Sequence, residues 1–291
     1  MIMNEDLVFI GFGEAATAFL GGWDGLRPPR VVAFDSKTDD DATCDTMLAR
    51  YAEYAVAGAE SAAAAVDGAQ VVFCVVTADR ALDAARAAAP QLAPDALWLD
   101  CNSCAPDTKR AAERVITQGG GRYVDVAVMA PVHPQRQHVP LLVSGPHAAA
   151  AIAVLTALDM RPVAAGDSVG QASAIKMLRS IMIKGIEALT AECFLAARRA
   201  GVEDAVIASL DASDPGADWR RRGAYNLERM MVHGTRRAAE MREVAATVAS
   251  LGLTGRMAAA TAQWQDAIAA IGAAPGEDDL AARADALLRS L

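Results

Sequence analysis

The sequence predicts an α/β domain followed by an all-α domain. Up to about Gly166, short apolar runs alternate with amphipathic stretches, which is typical of a parallel sheet covered on both faces. After Val169, apolar residues recur at the three- and four-residue spacing of helices. We therefore expect the α/β domain over residues 1–166 and the all-helical domain over residues 167–291.

The same patterns locate the individual elements. The predicted strands are Leu7–Gly11, Val31–Phe34, Val71–Val76, Leu97–Asp100, Tyr123–Val126, Leu141–Val143 and Pro162–Ala164. The predicted helices are Ala15–Gly22, Ser61–Val66, Ala81–Ala88, Asp107–Thr117, Ala148–Leu158, Gln171–Ala200, Trp219–Ser250, Ala258–Ile271 and Asp278–Leu288, with a loop at Asp211–Gly216. The long helix Gln171–Ala200 has no proline, and its apolar residues recur at Ile175, Leu178, Met182, Ile186, Leu189 and Phe194. Because this helix is apolar on more than one face, we expect a homodimer.

The first predicted strand leads into a glycine-rich turn that precedes a helix. Gly11 permits the tight turn, Gly13 has no Cβ to obstruct a pyrophosphate, and Ala16 lets the helix pack against the strand. Asp35 follows the second strand, where a carboxylate can accept the hydroxyls of an adenosine ribose. The sequence thus predicts a Rossmann dinucleotide-binding domain with cofactor contacts at Gly11, Phe12, Gly13, Glu14, Ala15, Ala16 and Asp35.

Two further residues bear on the cofactor. The carboxylate of Asp35 favours NAD, because it would repel the 2′-phosphate of NADP. Lys37 could offset that repulsion, so NADP remains an alternative. Thr77 follows the strand Val71–Val76 and is a candidate cofactor contact, since open α/β sheets bind ligands at the carboxyl ends of their strands.

Composition excludes several classes of partner. The net charge of −9 argues against nucleic acid and anionic membrane as partners, since both require a cationic surface. The apolar runs are strand-sized and too short to span a bilayer. The N-terminus shows no basic segment followed by an apolar stretch, so we expect no signal peptide and a cytoplasmic location.

The five cysteines predict no disulfide framework, since the number is odd and no secretory signal is visible. Cys101 and Cys104 form a C-x-x-C pair, which leaves a redox pair as an alternative to two small residues at a strand end. No metal site is predicted, because neither a second cysteine pair nor histidines at ligand spacing follow. His133 and His138 lie in a proline-flanked loop without acidic ligands.

Four segments carry a family resemblance: Gly11–Ala16, Asp100–Pro106, Asp125–Pro131 and Gly170–Lys176. In this order they resemble the dinucleotide turn, the Asp-x-Ser-Thr-x-x-Pro segment, the substrate loop and the glycine-rich approach to the catalytic lysine of the β-hydroxyacid dehydrogenases. That family includes 3-hydroxyisobutyrate dehydrogenase and 6-phosphogluconate dehydrogenase. The chain most resembles a divergent bacterial subgroup of it.

The resemblance implies roles for residues near the nicotinamide. Lys176 matches the catalytic lysine, the general acid/base for the reacting hydroxyl, and Ser180 occupies the place of an asparagine four residues later. Asn102 and Ser103 lie in the segment beside the cofactor and the substrate; helix capping is the alternative for both. Met129 replaces the serine of the substrate loop, so the pocket differs from those of the familiar members.

Two residues of the predicted helical domain are further substrate-binding candidates. Lys184 lies one helical turn after Ser180, so it shares a face with Lys176 and could bind a substrate carboxylate. A lysine whose apolar stem lies along the helix surface is the alternative. His233, with Arg236 and Arg237 nearby, is a candidate contact for an anionic group, although a lone histidine can equally be structural.

These observations predict an oxidoreductase that transfers a hydride between NAD(P) and a small 3-hydroxy acid or a related alcohol or carbonyl compound, with an anionic substrate. The all-helical domain would serve substrate binding and dimerisation. One alternative is an imine reductase, against which Lys176 argues because relatives of that kind tend to replace the lysine. The other is a dinucleotide-binding sensor without turnover, which the altered substrate loop motivates.

Overall fold

The computed structural model describes residues 6–23 and 25–290 and divides into two units. The first unit ends at Lys176 and the second begins at Met177. This division lies inside one long helix, Gln171–Arg199, whereas the sequence placed the domain boundary between Gly166 and Asp167. The assignment of substrate binding and dimerisation to the helical part stays a prediction.

The strands of the first unit form a single sheet. Along the described chain they are Leu7–Ile10 (β1), Val31–Phe34 (β2), Ala57–Gly58 (β3), Val71–Cys74 (β4), Leu97–Asp100 (β5), Arg122–Val128 (β6), Pro140–Ser144 (β7) and Arg161–Gly166 (β8). Their order across the sheet is β3-β2-β1-β4-β5-β6-β7-β8. Neighbouring strands are parallel except β6 and β7, which are antiparallel. The antiparallel step is possible because a loop with one short 3₁₀ turn, and no crossover helix, joins these two strands.

The helices confirm most of the predicted pattern. Over the described residues they are Glu14–Leu20 (α1), Cys44–Glu53 (α2), Ala62–Val66 (α3), Ala81–Ala88 (α4), Pro106–Gln118 (α5), Ala148–Ala157 (α6), Gln171–Arg199 (α7), Glu203–Ser213 (α8), Trp219–Ser250 (α9), Arg256–Ile271 (α10) and Leu280–Leu288 (α11). The sequence missed β3, α2 and α8. The predicted loop Asp211–Gly216 is wrong in its first half, because Asp211–Ser213 form the last turn of α8.

Side chains that alternate along the central strands cover both faces of the sheet. One core cluster contains Phe9, Phe73, Leu99 and Val124 from four neighbouring strands, all fully buried. The other contains the preceding residue of each strand, Val8, Val72, Trp98 and Tyr123. Because successive residues of a strand point to opposite faces, this pattern requires helices on both sides of the sheet. The prediction of a doubly covered sheet is confirmed.

Helix α7 exposes most of the apolar side chains that predicted it. Ile175, Leu178, Met182 and Leu189 are between 41% and 64% exposed, whereas Phe194 is fully buried. Small and polar side chains, among them Ala172, Ser180 and Lys184, are buried instead. The apolar recurrence therefore predicted the helix correctly but not its buried face. No helix in the part of the chain that the structure describes combines the length and apolar character needed to cross a membrane.

The turn after β1 depends on one glycine. Gly11 has a φ of +89°, and an added Cβ would lie 2.8 Å from the backbone oxygen of Val75. By contrast, Gly13 has a φ of −93°, and no described atom lies within 4 Å of the place where its Cβ would stand.

We expect Gly11→Ala to lower the free energy of unfolding by at least about 1–2 kcal/mol, because an alanine in the left-handed region is strained and its Cβ would meet backbone. Chemical denaturation measures the change. Gly13→Ala is the matched control and should leave stability nearly unchanged, since its Cβ meets no described atom. Equal stability of both variants would contradict the strained turn.

Candidate functional site

The carboxyl ends of four neighbouring strands bring together most of the residues that the sequence proposed for cofactor binding. The strand order reverses at β1, which lies between β2 and β4, and this reversal creates a crevice at the carboxyl ends of the strands. The loop from Gly11 to Gly13 follows β1, Asp35 follows β2, Thr77 lies just beyond β4, and Asn102 lies just beyond β5. This edge of the sheet is therefore the candidate site.

The glycine-rich loop is tied to the end of β2. The carboxylate of Asp35 accepts a hydrogen bond from the backbone N–H of Phe12 at 2.8 Å and one from that of Lys37 at 3.0 Å. The ring of Phe12 is fully buried and packs edge-on against Tyr51, with ring centroids 5.3 Å apart. Asp35 itself remains partly exposed. The loop is thus held by a carboxylate that still reaches the surface.

The glycine-rich loop leaves open space beside Gly13. The open space around Gly13 lies directly before α1, whose first residues are Glu14, Ala15 and Ala16. The first N–H groups of a helix have no acceptor within the helix. Thr77 is exposed at the end of β4. These residues fit a pyrophosphate group at the loop.

Asn102 is buried with one polar atom unsatisfied. Its side-chain amide nitrogen donates to Asp100 Oδ1 at 2.7 Å and to Cys74 Sγ at 3.2 Å. Its Oδ1 accepts no hydrogen bond from the described residues, although a buried acceptor without a donor is costly. Asn102 therefore offers an acceptor at the carboxyl end of β5, which fits the carboxamide donor of a nicotinamide.

A fully buried ion cluster lies directly beneath this loop. Lys109 Nζ, on α5, donates to Asp100 Oδ1 at 2.9 Å and to the Asp100 backbone oxygen at 2.6 Å, and lies 3.4 Å from Asp125 Oδ1. Tyr123 Oη donates to Asp100 Oδ2 at 2.6 Å. Burial opposes the charged ammonium, but the carboxylates, above all Asp100, outweigh it and raise the pKa of Lys109. Burial, followed by the charges of Asp100 and Asp125, raises the pKa of the Tyr123 phenol.

Lys176 and Ser103, both predicted site residues, meet in the first unit. Lys176 Nζ donates a hydrogen bond to Ser103 Oγ, and both side chains are partly buried. Ser103 follows β5, and Lys176 lies in the second turn of α7. The structure thus joins the proposed acid/base to a hydroxyl at the same edge of the sheet as the glycine-rich loop.

The second unit brings Ser180 and Lys184 together. Lys184 Nζ lies 3.3 Å from Ser180 Oγ and 2.8 Å from Glu240 Oε2 of α9, and the lysine is almost fully buried. Glu240 therefore balances the charge of Lys184, which the sequence did not indicate. Arg237 is also buried and engaged by both carboxylate oxygens of Glu187, so it does not offer a free cation.

The remaining two candidates are only partly buried. Met129 directly follows β6 in the first unit, and its backbone N–H donates to the carbonyl oxygen of Pro140 at 2.9 Å. His233 lies on α9 in the second unit. Their roles as substrate contacts stay predictions.

Sequence reasoning missed the buried cluster as a part of the site. The signal was present in α5, where Lys109, Ala112 and Ile116 share one buried face at helical spacing. A lysine in the apolar register of an amphipathic helix indicates a buried carboxylate partner, because lysine is almost never fully buried unless it is paired. Ser144 and Ser173, which also contact the cluster, carried no comparable signal.

The C-x-x-C pair is reduced and inaccessible. Neither Cys101 nor Cys104 is in a disulfide and both are buried, whereas Cys193 is exposed on α7. Burial raises the pKa of the Cys101 thiol to about 12, in spite of the opposing charge of Lys109. A thiol with so high a pKa forms little nucleophilic thiolate near neutral pH.

Comparison with family models finds two matches. The NAD binding domain of 6-phosphogluconate dehydrogenase matches residues 30–158, and a domain of unknown function (DUF1932) matches residues 197–268. Together these segments span about two thirds of the chain. A curated relative, an uncharacterized 28.5 kDa protein from Methanothermus fervidus, is 26% identical over 149 residues. That match spans 51% of this chain and 56% of the relative.

Solved structures extend the likeness over nearly the whole chain. A conserved hypothetical protein from Sinorhizobium meliloti 1021 is 39% identical, with 99% of this chain and 97% of that chain covered and a TM-score of 0.74. A conserved protein of unknown function, described as structurally similar to 3-hydroxyacid dehydrogenases, is 28% identical over 90% and 97% of the two chains, with a TM-score of 0.66. The 3-hydroxyisobutyrate dehydrogenase of Mycobacterium tuberculosis, solved with L-serine, shares the fold with a TM-score of 0.72. It is 17% identical, with 98% of this chain and 99% of that chain covered.

We expect iodoacetamide to alkylate Cys193 well before Cys101 or Cys104 in the native protein at about pH 8, close to the ordinary thiol pKa. Peptide mass spectrometry of timed samples measures the order, and the unfolded protein is the control in which every thiol reacts. Rapid alkylation of both Cys101 and Cys104 in the native protein would contradict their burial.

Proposed function

Because this chain belongs to the β-hydroxyacid dehydrogenase family, we propose that it transfers a hydride between NAD(P) and a small 3-hydroxy acid or a related alcohol or carbonyl compound. In this proposal Lys176 is the general acid/base. The observation that carries it is the hydrogen bond from Lys176 Nζ to Ser103 Oγ, at the sheet edge where the glycine-rich loop and Asn102 lie.

We assign the cofactor to the crevice at the carboxyl ends of the strands. The residues proposed to hold it are Gly11, Phe12, Gly13, Glu14, Ala15, Ala16, Asp35, Thr77 and Asn102. A bound nicotinamide would supply or accept the hydride. The buried and unsatisfied Oδ1 of Asn102 supports its assignment as an acceptor for a carboxamide. The partly exposed carboxylate of Asp35 supports a preference for NAD over NADP.

We assign proton transfer to and from the reacting oxygen of the substrate to the Lys176–Ser103 pair. The oxygen of Ser103 accepts from Lys176, so the serine hydroxyl keeps its own proton to donate to a substrate oxygen. Lys176 then exchanges a proton with the reacting oxygen, which becomes a hydroxyl in one direction and a carbonyl in the other. Such positioned acid–base catalysis contributes about 10²- to 10⁴-fold in rate.

The substrate is proposed to be anionic, with contacts from Ser103, Ser180, Met129, Lys184 and His233. Since Glu240 already balances Lys184, a substrate carboxylate bound by this lysine would compete with Glu240 for the ammonium. We also propose that the protein is a homodimer. The exposed apolar side chains of α7, such as Met182 and Leu189, support this, because large exposed apolar patches mark interaction surfaces.

Replacement of Lys176 by alanine should lower kcat by about 10²- to 10⁴-fold while the Kd for NAD changes little, because the lysine moves a proton and does not hold the dinucleotide. NADH formation is measured by absorbance on a panel of 3-hydroxy acids and alcohols. Calorimetric titration of NAD measures binding. The matched control is Arg199→Ala, which removes an exposed cation at the far end of the same helix.

Two outcomes would overturn this function. Equal activity of wild type and Lys176→Ala on the same substrate would remove the lysine from the chemistry. If wild type binds NAD but oxidises nothing on the panel, a second panel of imines with NADPH and NADH separates an imine reductase from a dinucleotide-binding sensor.

For Asp35→Asn we expect the preference for NAD over NADP to fall by at least about tenfold, since a like-charge contact with the 2′-phosphate costs several kcal/mol. Asparagine keeps an oxygen that can accept from the Phe12 N–H, so the loop should persist. The ratio of the two Kd values measures the effect. Asp39→Asn is the matched control, because Asp39 is an exposed carboxylate four residues away; an equal shift in that variant would contradict a direct contact.

A further inference from the structure

The two members of the Lys176–Ser103 pair come from separate parts of the chain. Ser103 lies in the loop after β5, and Lys176 lies in α7, which follows β8. The two side chains meet only if the backbone of each segment is held in place. Each side chain would otherwise sample several rotamers and positions. Two buried carboxylates, Asp100 and Asp125, hold these segments.

Asp100 holds the Ser103 segment. Its Oδ1 accepts from the backbone N–H of Asn102 at 3.0 Å and from the Asn102 side-chain amide at 2.7 Å. Its Oδ2 accepts from Tyr123 at 2.6 Å. The residue directly before Ser103 is therefore bound through both its backbone and its side chain to one fully buried carboxylate.

Asp125 holds the start of α7. Its Oδ2 accepts from the backbone N–H of Gly170 at 3.1 Å, and from the N–H and the hydroxyl of Ser173 at 3.0 and 3.1 Å. Ser144 Oγ donates to the same oxygen and accepts from the N–H of Ala172. A buried carboxylate thus caps the helix end that carries Lys176 one turn later, and a negative charge at a helix N-terminus is stabilising.

Lys109 connects these two carboxylates. Asp100 and Asp125 are paired residues on adjacent parallel strands, so their negative charges lie side by side in the core. Among the described residues, Lys109 is the sole cation in an ion pair with either of them. Two buried carboxylates with no cation would repel one another or take up a proton, and either change would release the groups they hold.

We propose that Lys109 is a positioning residue for the Lys176–Ser103 pair: it fixes the two carboxylates that hold the loop after β5 and the start of α7. Lys109 is itself fully buried in the core and is assigned no contact with substrate or cofactor. Its effect on turnover rests on the proposed function, whereas its effect on the position of Lys176 does not.

A double-mutant cycle separates positioning from simple stability. Lys109→Met should lower kcat by about 10²-fold, the loss that a displacement of about 1 Å at a reacting group can cause, with little change in the Kd for NAD. In the Lys176→Ala background the same substitution should change kcat by no more than about twofold, because the residue it positions is gone. The matched control is Arg114→Met, which removes an exposed cation from the same helix.

A second readout does not depend on turnover. The chain has four lysines, Lys37, Lys109, Lys176 and Lys184, and Lys37 is exposed. Brief acetylation with acetic anhydride, followed by peptide mass spectrometry, gives the reactivity of Lys176 relative to Lys37 in the same sample. In Lys109→Met, at a temperature well below Tm, Lys176 should react faster and approach Lys37. In Arg114→Met it should react at the wild-type rate.

Each outcome decides the proposal. Equal losses of kcat in both backgrounds, or wild-type reactivity of Lys176 in folded Lys109→Met, would make Lys109 a structural ion-pair partner and overturn it. If Lys109→Met does not fold, Lys109→Arg takes its place in both experiments, since it keeps the positive charge between Asp100 and Asp125 but replaces the compact ammonium by a larger planar group. If wild type shows no turnover, the proposed function fails, and the acetylation result alone decides the role of Lys109.

Discussion

One buried ammonium between two buried carboxylates organises the carboxyl edge of the sheet. The backbone pairing of β5 with β6 places Asp100 and Asp125 next to each other, and Lys109 is the cation that makes this arrangement tolerable. Tyr123 donates a further hydrogen bond to Asp100 Oδ2, and serine hydroxyls and backbone N–H groups donate to Asp125 Oδ2. A buried ion pair adds little net stability over a well-packed apolar core, but breaking it is costly. The contribution of this ion cluster lies in positioning, because its hydrogen bonds fix the segments that carry the candidate site residues.

Much of the fold could be predicted because strands buried on both faces appear as continuous apolar runs. The strands β2 and β5 and the helices α4 and α9 have the predicted bounds. Helix α2 was missed because Met47 and Tyr51 are its only buried side chains, too few to give a helical period. The antiparallel direction of β7 was not predictable from composition, since direction depends on the connection and not on the strand.

In the candidate site, too, sequence indicates local features but not the contacts between residues that are far apart in the chain. The sequence indicated that Asp35 and the glycine-rich loop follow successive strands, but it did not indicate the hydrogen bond from the Phe12 N–H to Asp35. The meeting of Lys176 with Ser103, like the balancing of Lys184 by Glu240, joins residues far apart in the chain. No spacing rule gives such pairs. Lys109 was overlooked because a single lysine on a helix is ordinarily solvated, and only its register with Ala112 and Ile116 indicates otherwise.

The capping of α7 by Asp125 has a consequence for dissecting the protein. A fragment cut after Gly166, where the sequence pattern changes, would remove Gly170, Ala172 and Ser173 and with them most of the donors around Asp125 and Ser144. The fragment would keep its whole sheet but would bury a carboxylate with few hydrogen-bond partners. Burying such a charge lowers the free energy of unfolding. The nucleotide-binding half is therefore complete only when it includes the opening turns of a helix that continues into the other half.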